Sequence, residues 1–314
     1  MSIADKELLI QQLNQQLNDE KVADQKFLII QNMQKIKEEI AVLRAEDELM
    51  QTPTEIFLPD IFEEKRAIPN GFLRSALFGL VKKGKRSIVK DEAIFSMSQY
   101  DIKFSGEYLD QNDQELWDTL IYLAKKNNVD SELRITLYEL CKLMNLSNQK
   151  ITRDRLIVRA KRLAFGKVTL RVSGKEYYGS LIDDVFIDGN GDGKLVIRYN
   201  KKMINIFSDK DYTLINQNVR NLLGDNQLAR WIYSFYESHN NPIPLKLNYI
   251  QTLCRSVSEL KGFKQKLKSA LDLIKQAFKT VDNKSNWNWE ITENNYLVIY
   301  KYGKPVQQQL FKRF

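Results

Sequence analysis

The segment GLVKKGKRS, which begins at Gly79, falls one residue short of a loop that binds nucleotide phosphates. That loop is Gly, any four residues, then Gly-Lys-Ser/Thr, because backbone N–H groups and the Lys surround the phosphates while the hydroxyl binds Mg²⁺. Here Gly84 and Lys85 match, but Arg86 stands at the hydroxyl position and Ser87 comes one residue late. The residues that follow, IVKDEAIFSMSQYDIKFSG, are strand-like where a nucleotide loop needs a helix. We therefore expect no nucleotide site.

A cluster of cations on this turn still needs an interpretation. Two are open: the cations contact a DNA backbone, or they form a solvated basic loop. The residues concerned are Lys82, Lys83, Lys85 and Arg86.

Other catalytic or metal chemistry lacks the residues it needs. His239 is the only histidine, so Cys₂His₂ zinc sites and His-dependent DNA-nicking sites have no ligands. It lies in YESHNNPIP, which predicts a helix end and a capping or surface histidine. DGNGDG (188–193) resembles the start of a calcium loop, but the twelfth position is Tyr199 rather than Glu, and the flanking VFI and KLVIRY favour a hairpin turn. We expect no enzyme, no metal and no cofactor.

Composition indicates a basic protein with an anionic partner. The chain has 314 residues, 43% of them hydrophobic, a net charge of +8 and a pI near 9.1. Such a charge favours nucleic acid or a membrane surface as partner. No apolar run approaches the ~20 residues that cross a bilayer, and the N-terminus lacks a secretory pattern. Two cysteines, Cys141 and Cys254, suit a reducing compartment. We expect a soluble, cytoplasmic protein.

The N-terminal part predicts an arm and a linker. Residues 5–49 contain neither Gly nor Pro and predict one long helix. A short apolar stripe along it could pack on the body or on another copy of the chain, which would give a homodimer; its members are Ile29, Met33, Ile36, Ile40 and Leu43. Three prolines then indicate a linker. We assign 1–49 to the arm and 50–69 to the linker.

The remainder repeats itself. DQELWDTLIYLAKKN begins at Asp113 and DNQLARWIYSFYESH at Asp225, an offset of about 112 residues that fits a duplicated domain. Each copy continues with a short strand (RITL, PLKL), a helix containing Leu-Cys, and a long helix (149–165, 258–278). Each then has a hairpin, KVTLRV…YYGSLIDDVF in the first copy and WNWEITENNYLVIYK in the second. This order is that of a winged helix. We predict an α+β protein with winged-helix domains at 70–215 and 216–314.

The long helix of each copy combines basic residues with an apolar stripe. At 100° per residue, Arg155, Arg159 and Arg162 share one face, opposite the apolar residues. We expect both helices to enter the DNA major groove; a solvated basic face is the alternative. First-turn residues would be placed to reach base edges: Lys150, Arg153, Lys261, Lys264 and Gln265. Arg155, Arg159, Arg162 and Lys268 would contact bases or phosphates.

These segments resemble the TrfA family of plasmid replication initiators. The similarity runs from about Ala67 to Tyr300 and is carried by AIPNGFLRSALFG, IKFSGEYLDQNDQELWDTLIYLAKK, LRITLYELCKLMNLS, WIYSFYESHNNP and NPIPLKLNYIQTLC. The resemblance implies two winged helices that bind repeated origin sequences, called iterons, in double-stranded plasmid DNA. It also implies opening of adjacent AT-rich DNA and recruitment of the host initiator, the replicative helicase and the sliding clamp.

One family feature departs in this chain. Where the family has a clamp-binding pentapeptide before its first domain, this sequence has QTPTEIF. Near the C-terminus, QQQLF matches Gln-x-x-Leu-Phe, with Gln307, Leu310 and Phe311 as clamp contacts; packing of Leu310 and Phe311 on the second domain is the alternative. A winged-helix repressor is the other function open at this point. A DNA-nicking or ATP-dependent replication enzyme is disfavoured by the single histidine and the broken loop.

Overall fold

The computed structural model describes residues 3–17, 29–30, 32–40, 63–82, 84, 86–127, 132–172, 175–187, 193–200, 205–207 and 211–301. The chain divides into two compact units, Met1–Glu55 and Ile56–Phe314. Among the helices described, none is both long and apolar enough to cross a lipid bilayer.

The first unit contains helix α1 (Ile3–Leu17) and a helical stretch at 32–40. Lys6 Nζ lies 2.5 Å from Glu39 Oε2, and this ion pair lowers the pKa of Glu39. One continuous helix would hold these residues about 50 Å apart. The prediction of a single long helix over 5–49 is therefore wrong. The physical reason is burial: Met33 and Ile40 are buried, and an apolar stripe needs a second surface to pack on.

The second unit alternates helices and strands. Its first half contains β1 (Lys65–Pro69), α2 (Asn70–Leu73), β2 (Ile88–Ile94), β3 (Asp101–Glu107), α3 (Gln111–Lys126), β4 (Glu132–Thr136), α4 (Leu137–Leu143), α5 (Lys150–Phe165), β5 (Lys167–Val172), β6 (Lys175–Ser180), β7 (Ile182–Ile187) and β8 (Lys194–Tyr199). The second half contains a 3₁₀ turn (Asn205–Phe207), β9 (Tyr212–Asn216), α6 (Gln217–Leu222), α7 (Gln227–Glu237), β10 (Leu245–Lys246), α8 (Leu247–Leu253), α9 (Leu260–Val281), β11 (Asn288–Ile291) and β12 (Tyr296–Tyr300). The α+β class is confirmed.

The two halves contain three-stranded antiparallel sheets of the same order. These are β4-β8-β7 in the first half and β10-β12-β11 in the second. The hairpin predicted around DGNGDG is confirmed as β7–β8. The predicted equivalence of KVTLRV with the second hairpin is wrong, because β5 and β6 belong to a separate sheet, β2-β3-β5-β6. Alternating polarity predicts a strand but does not specify its partner.

The predicted linker also ends earlier than expected. Strand β1 pairs antiparallel with β9, and Ile68 within it is fully buried. Pro69 lacks an N–H group, and it is tolerated because it stands at the end of this two-stranded pair. Residues 65–69 thus belong to the folded unit.

Two pairs of consecutive helices begin at positions 110 residues apart: α4 and α8 begin at Leu137 and Leu247, and α5 and α9 begin at Lys150 and Leu260. After the first helix of each pair, one residue has a left-handed backbone, Asn145 (φ 53°) and Arg255 (φ 55°). At this offset the two cysteines do not correspond. Cys141 lies inside α4, whereas Cys254 follows the last residue of α8.

Both halves share one hydrophobic core, crossed by buried ion pairs. Arg220 on α6 contacts Asp118 on α3 at 3.1 Å, with both side chains fully buried. Arg230 on α7 contacts Glu115 on α3 at 2.8 Å. Burial raises the pKa of Asp118 to about 7, against the opposing charge of Arg220. Removing one partner of such a pair leaves an uncompensated buried charge, so these contacts hold the halves together specifically.

Candidate nucleic-acid interface

Helix α5 presents a clear inner and outer side. Leu156, Ala160 and Leu163 are fully buried, and the helix packs on α3 and β7. At 100° per residue, the opposite side is centred on Ile151, Asp154 and Val158, and all three are exposed. The outermost line of α5 is therefore not the arginine stripe predicted to face DNA.

The three arginines of α5 lie on one flank of that outer line. Arg155 is exposed, Arg159 is half-buried, and the side chain of Arg162 is only 9% exposed. Arg162 pairs with Glu107 at 3.0 Å and with Asp113 at 2.5 Å. The arginines do lie along one side, as predicted, but Arg162 is committed to two carboxylates of the protein.

A cavity of about 310 Å³ opens beside this flank. Four arginines contribute to its lining: Arg86, Arg155, Arg159 and Arg162. Burial lowers the pKa of Arg159, against the opposing charges of Asp110 and Asp113. The Arg159 side chain forms no hydrogen bond or ion pair with any residue that the structure describes. Its guanidinium N–H groups are thus available to an anion entering the cavity.

Arg86 turns inward to the carboxylates beneath α5. It pairs with Asp110 and hydrogen-bonds the Tyr108 carbonyl oxygen, and it lies 3.4 Å from Asp113. Burial raises the pKa of Asp113 to about 6, reinforced by Asp110 and opposed by Arg162. Burial also acts to raise the pKa of Asp110, but the charge and hydrogen bond of Arg86, together with the N–H groups of Asp113 and Asn112, lower it overall. Arg86 is a structural cation in this arrangement.

The first two residues of GLVKKGKRS, Gly79 and Leu80, pack between the halves. Leu80 N–H donates to the Cys254 carbonyl oxygen at 2.7 Å. A Cβ on Gly79 would approach that same oxygen, and the Cβ of Arg255, at 3.0 Å. Gly79 therefore serves a close backbone approach, and strand β2 follows the segment as predicted. Lys82 is exposed, whereas Lys83 and Lys85 lie outside the described residues.

Arg255, which follows Cys254, also contacts the first half. Its guanidinium donates to the Leu109 carbonyl oxygen at 2.7 Å and lies 4.0 Å from the ring centroid of Tyr108. Burial lowers the pKa of Arg255 to about 10, so it stays charged at neutral pH. The turn that precedes α9 is thereby held against the first half.

Helix α9 differs from α5 on its outer side. Phe263, Leu267 and Ile274 are among its fully buried residues, as the sequence predicted. The outer side carries exposed Lys261, Gln265 and Lys268. Neither lysine forms a hydrogen bond or ion pair within the described part of the chain. Both cations are open to solvent.

The other basic residues predicted to contact bases differ in exposure. Lys264 is half-buried and donates to Asn295 Oδ1 at 2.7 Å, in the turn of the β11–β12 hairpin. On α5, Lys150 is exposed at the helix start and Arg153 is half-buried. The predicted base-contacting set therefore splits into exposed and engaged residues.

Sequence reasoning missed the apolar residues and the second cation row of α5. Ile151 and Val158 are 56% and 53% exposed, and Lys161 is exposed beside them. The available signal was the seven-residue spacing of Ile151, Val158 and Phe165, which is out of phase with the buried stripe.

The remaining predicted residues fall elsewhere. His239 caps the end of α7, one of the two placements predicted for it: Nδ1 lies 2.7 Å from the Phe235 carbonyl oxygen. The ring is half-buried, and Nε2 lies 3.3 Å from Met97 Sδ. Burial lowers its pKa to about 4. Gln307, Leu310 and Phe311 lie outside the described residues.

Comparisons with known proteins bear on this arrangement. Domains 2 and 3 of RctB share the fold, with a TM-score of 0.54 and 10% sequence identity over 74% of this chain and 98% of theirs. A second structure of RctB domains 2–3, also 10% identical, gives a TM-score of 0.47 over 70% of this chain and 93% of that chain.

The sequence comparisons are more specific. The plasmid replication initiator protein TrfA of Escherichia coli is 28% identical over 202 residues, which cover 62% of this chain and 52% of that protein. The chain thus spans about half the length of this relative. A family model described as TrfA protein matches residues 21–287, well over half of the chain. The chain therefore belongs to the TrfA family.

Proposed function

We propose that this chain is a plasmid replication initiator that binds iterons in double-stranded origin DNA through two winged helices. Family membership supports the initiator role. The observation that carries the DNA-binding geometry is the repeated topology: a helix, a strand, two helices and a hairpin occur twice, with the same strand order. In the first copy cations flank the outer line of the longer helix, and in the second copy exposed lysines lie on its outer side. The domains proposed are 70–215 and 216–314, with the first extended to include β1.

In this proposal α5 and α9 enter neighbouring major-groove segments. Arg155, Arg159 and Lys150 supply the cations of α5, and Lys261, Gln265 and Lys268 supply the polar contacts of α9. The guanidinium of Arg159, which forms no hydrogen bond or ion pair among the described residues, suits a backbone phosphate at the mouth of the cavity. Open cations contribute to phosphate binding, whereas engaged ones do not.

We assign Arg162 and Arg86 a positioning role. Both are held by Asp113. Taking either from this cluster to a phosphate would leave a buried carboxylate without its partner, which costs several kcal/mol. Their contribution is to hold α5, and with it Arg159, at a set position on α3.

Origin opening and recruitment of the host initiator, helicase and sliding clamp are further parts of the proposal and rest on the family resemblance. For the clamp, Leu310→Ala with Phe311→Ala should weaken association and leave iteron affinity unchanged, because apolar anchors dominate short-peptide interfaces. Clamp pull-down beside an iteron titration measures both effects. Unaltered clamp binding would assign this tail to packing.

The N-terminal unit is proposed to be dispensable for recognition, because both basic helices lie in the second unit. A chain that begins near Gln51 should keep specific binding, while its oligomeric state changes if the arm mediates a homodimer. Loss of specific binding by a folded truncated chain would contradict this.

The decisive experiment adds the purified chain to a supercoiled plasmid that carries the cognate origin. Footprinting of repeated sites, with melting of adjacent AT-rich DNA and no nick, supports the initiator. Binding without melting favours a repressor. Nicking or ATP hydrolysis by the purified chain would indicate an enzyme and overturn the proposal.

A further inference from the structure

The outermost line of α5 is apolar at two positions one heptad apart. Ile151 is 56% exposed and Val158 is 53% exposed. Seven residues correspond to almost two full turns, so both side chains lie on one line along the helix. Leu156, Ala160 and Leu163 fill the core on the opposite side. Ile151 and Val158 therefore make no use of the protein core, and their apolar surface is available to a partner.

Cations flank this line on both sides. At 100° per residue, Lys150 and Lys161 lie on one flank and Arg155 and Arg159 on the other. A helix in the major groove presents its outer line to the base edges and its two flanks to the two phosphate strands. Asp154 also lies on the outer line, between Ile151 and Val158, where it would face base edges and not phosphates. With the cations on the two flanks, this arrangement fits duplex DNA.

The second helix provides an internal comparison. At the offset of 110 residues, Ile151 corresponds to Lys261 and Val158 to Lys268. These two equivalent outer positions are thus apolar in α5 and cationic in α9. The C5-methyl group of thymine is the apolar feature that base pairs present in the major groove. Only α5 offers it an apolar contact from these positions.

We propose that Ile151 and Val158 recognise thymine methyl groups in the part of the site that faces α5. This inference rests on the proposed function, because it requires α5 to lie in the major groove. It adds a determinant of sequence specificity to a helix otherwise described by its arginines. The equivalent positions of α9 contribute charge and no methyl recognition.

The test uses the full chain and an origin fragment that footprinting has shown to be protected. Each thymidine of the protected segment is replaced in turn by deoxyuridine, which lacks only the C5-methyl group. Wild type should lose about fourfold in affinity for each methyl that it contacts, the worth of one buried CH₂-sized group. Val158→Ala should bind more weakly than wild type. At one of these positions it should also bind the thymidine and deoxyuridine forms of the site equally well. Ile151→Ala should show the same loss at a different position.

Lys268→Ala is the matched control, because it changes the equivalent position of α9. It should weaken binding and keep the full thymine–uracil difference. Both α5 side chains are exposed, so circular dichroism should be unchanged in their alanine variants. Equal affinity of wild type for thymine and uracil sites would overturn the inference, and so would an unchanged ratio in both α5 variants.

Two further outcomes separate competing explanations. If wild type protects no origin segment at all, the proposed function itself fails. That failure is seen on unmodified DNA, before any thymidine is replaced. If Val158→Ala alters sedimentation while the thymine–uracil ratio stays at the wild-type value, the apolar line packs against a second copy of the chain and methyl recognition is wrong.

Discussion

Helices α5 and α9 occupy equivalent places in the two halves, yet their cations are held differently. Arg162 of α5 is nearly buried between Glu107 and Asp113, while Arg159 lines a cavity. Lys261 and Lys268 of α9 are exposed and form no ion pair within the described residues. Part of the positive charge of α5 therefore stabilises the fold, whereas the two lysines of α9 remain exposed to a partner. Basic residues at helical spacing are therefore not equivalent contributors to binding.

The largest effect should come from Arg162. Arg162→Ala leaves the fully buried Asp113 carboxylate without its nearest cation, so we expect the free energy of unfolding to fall by about 3–5 kcal/mol. Lys268→Ala should change it by no more than about 0.5 kcal/mol. Urea unfolding of both variants measures the difference.

A second substitution checks the cause. Combining Arg162→Ala with Asp113→Asn removes the charge that was left behind, and should recover part of the lost stability. If Arg162→Ala alone unfolds at the wild-type urea concentration, the ion pairs contribute nothing and the two helices do not differ in this way.

A pH effect is expected where the halves meet, at His239. Burial lowers its pKa from 6.5 to about 4, so the unfolded chain binds a proton in this interval while the folded chain does not. The free energy of unfolding should therefore be highest above pH 6.5. As the pH falls towards 4, this group should lower it by at most about 3 kcal/mol. Urea midpoints at pH 7 and 4.5 measure it, with His239→Gln as the control; the same pH dependence in both proteins would show that other groups are responsible.

For DNA binding, Arg159→Ala and Lys268→Ala should each weaken iteron affinity by about tenfold, with intact circular dichroism spectra. A lost phosphate contact should make the log–log salt slope shallower by about one. Because the two residues lie on separate helices, the double variant should be close to additive. Titration of both singles and the double at several salt concentrations is the measurement. A single variant with wild-type affinity and slope would assign that helix's cations to solvated surface.

The smallest effect should follow Lys82→Ala. Lys82 is exposed, so its removal should change stability by less than about 0.5 kcal/mol, whereas Arg86→Ala should destabilise because Arg86 pairs with Asp110. Unfolding and salt-dependent binding of both variants distinguish the outward cation from the inward one. Equal loss of stability in the two would contradict the inward placement of Arg86.

Local patterns predicted much of the architecture. The helix predicted at 149–165 is α5 (Lys150–Phe165), and that predicted at 258–278 is α9 (Leu260–Val281). The strand-like residues after Ser87 are β2 and β3, and β7 and β8, on either side of the glycine-rich segment, pair antiparallel. These features follow from periodicity and turn chemistry, which act over a few neighbouring residues and are therefore visible in one segment at a time. The basic charge and the repeated order of elements are equally properties of the sequence.

Whether each basic side chain is buried, paired or exposed depends on contacts between segments that are distant in the sequence. Arg162 meets Asp113 and Glu107, 49 and 55 residues earlier in the chain, and Arg86 meets Asp110 across 24 residues. Lys6 and Glu39 likewise exclude the single long helix that the absence of Gly and Pro predicted. Helical periodicity identifies which residues share a side, but the packing of α5 on α3 and β7 determines which side is outermost. Burial and ion pairing depend on which surfaces meet in space, and only the assembled core brings them together.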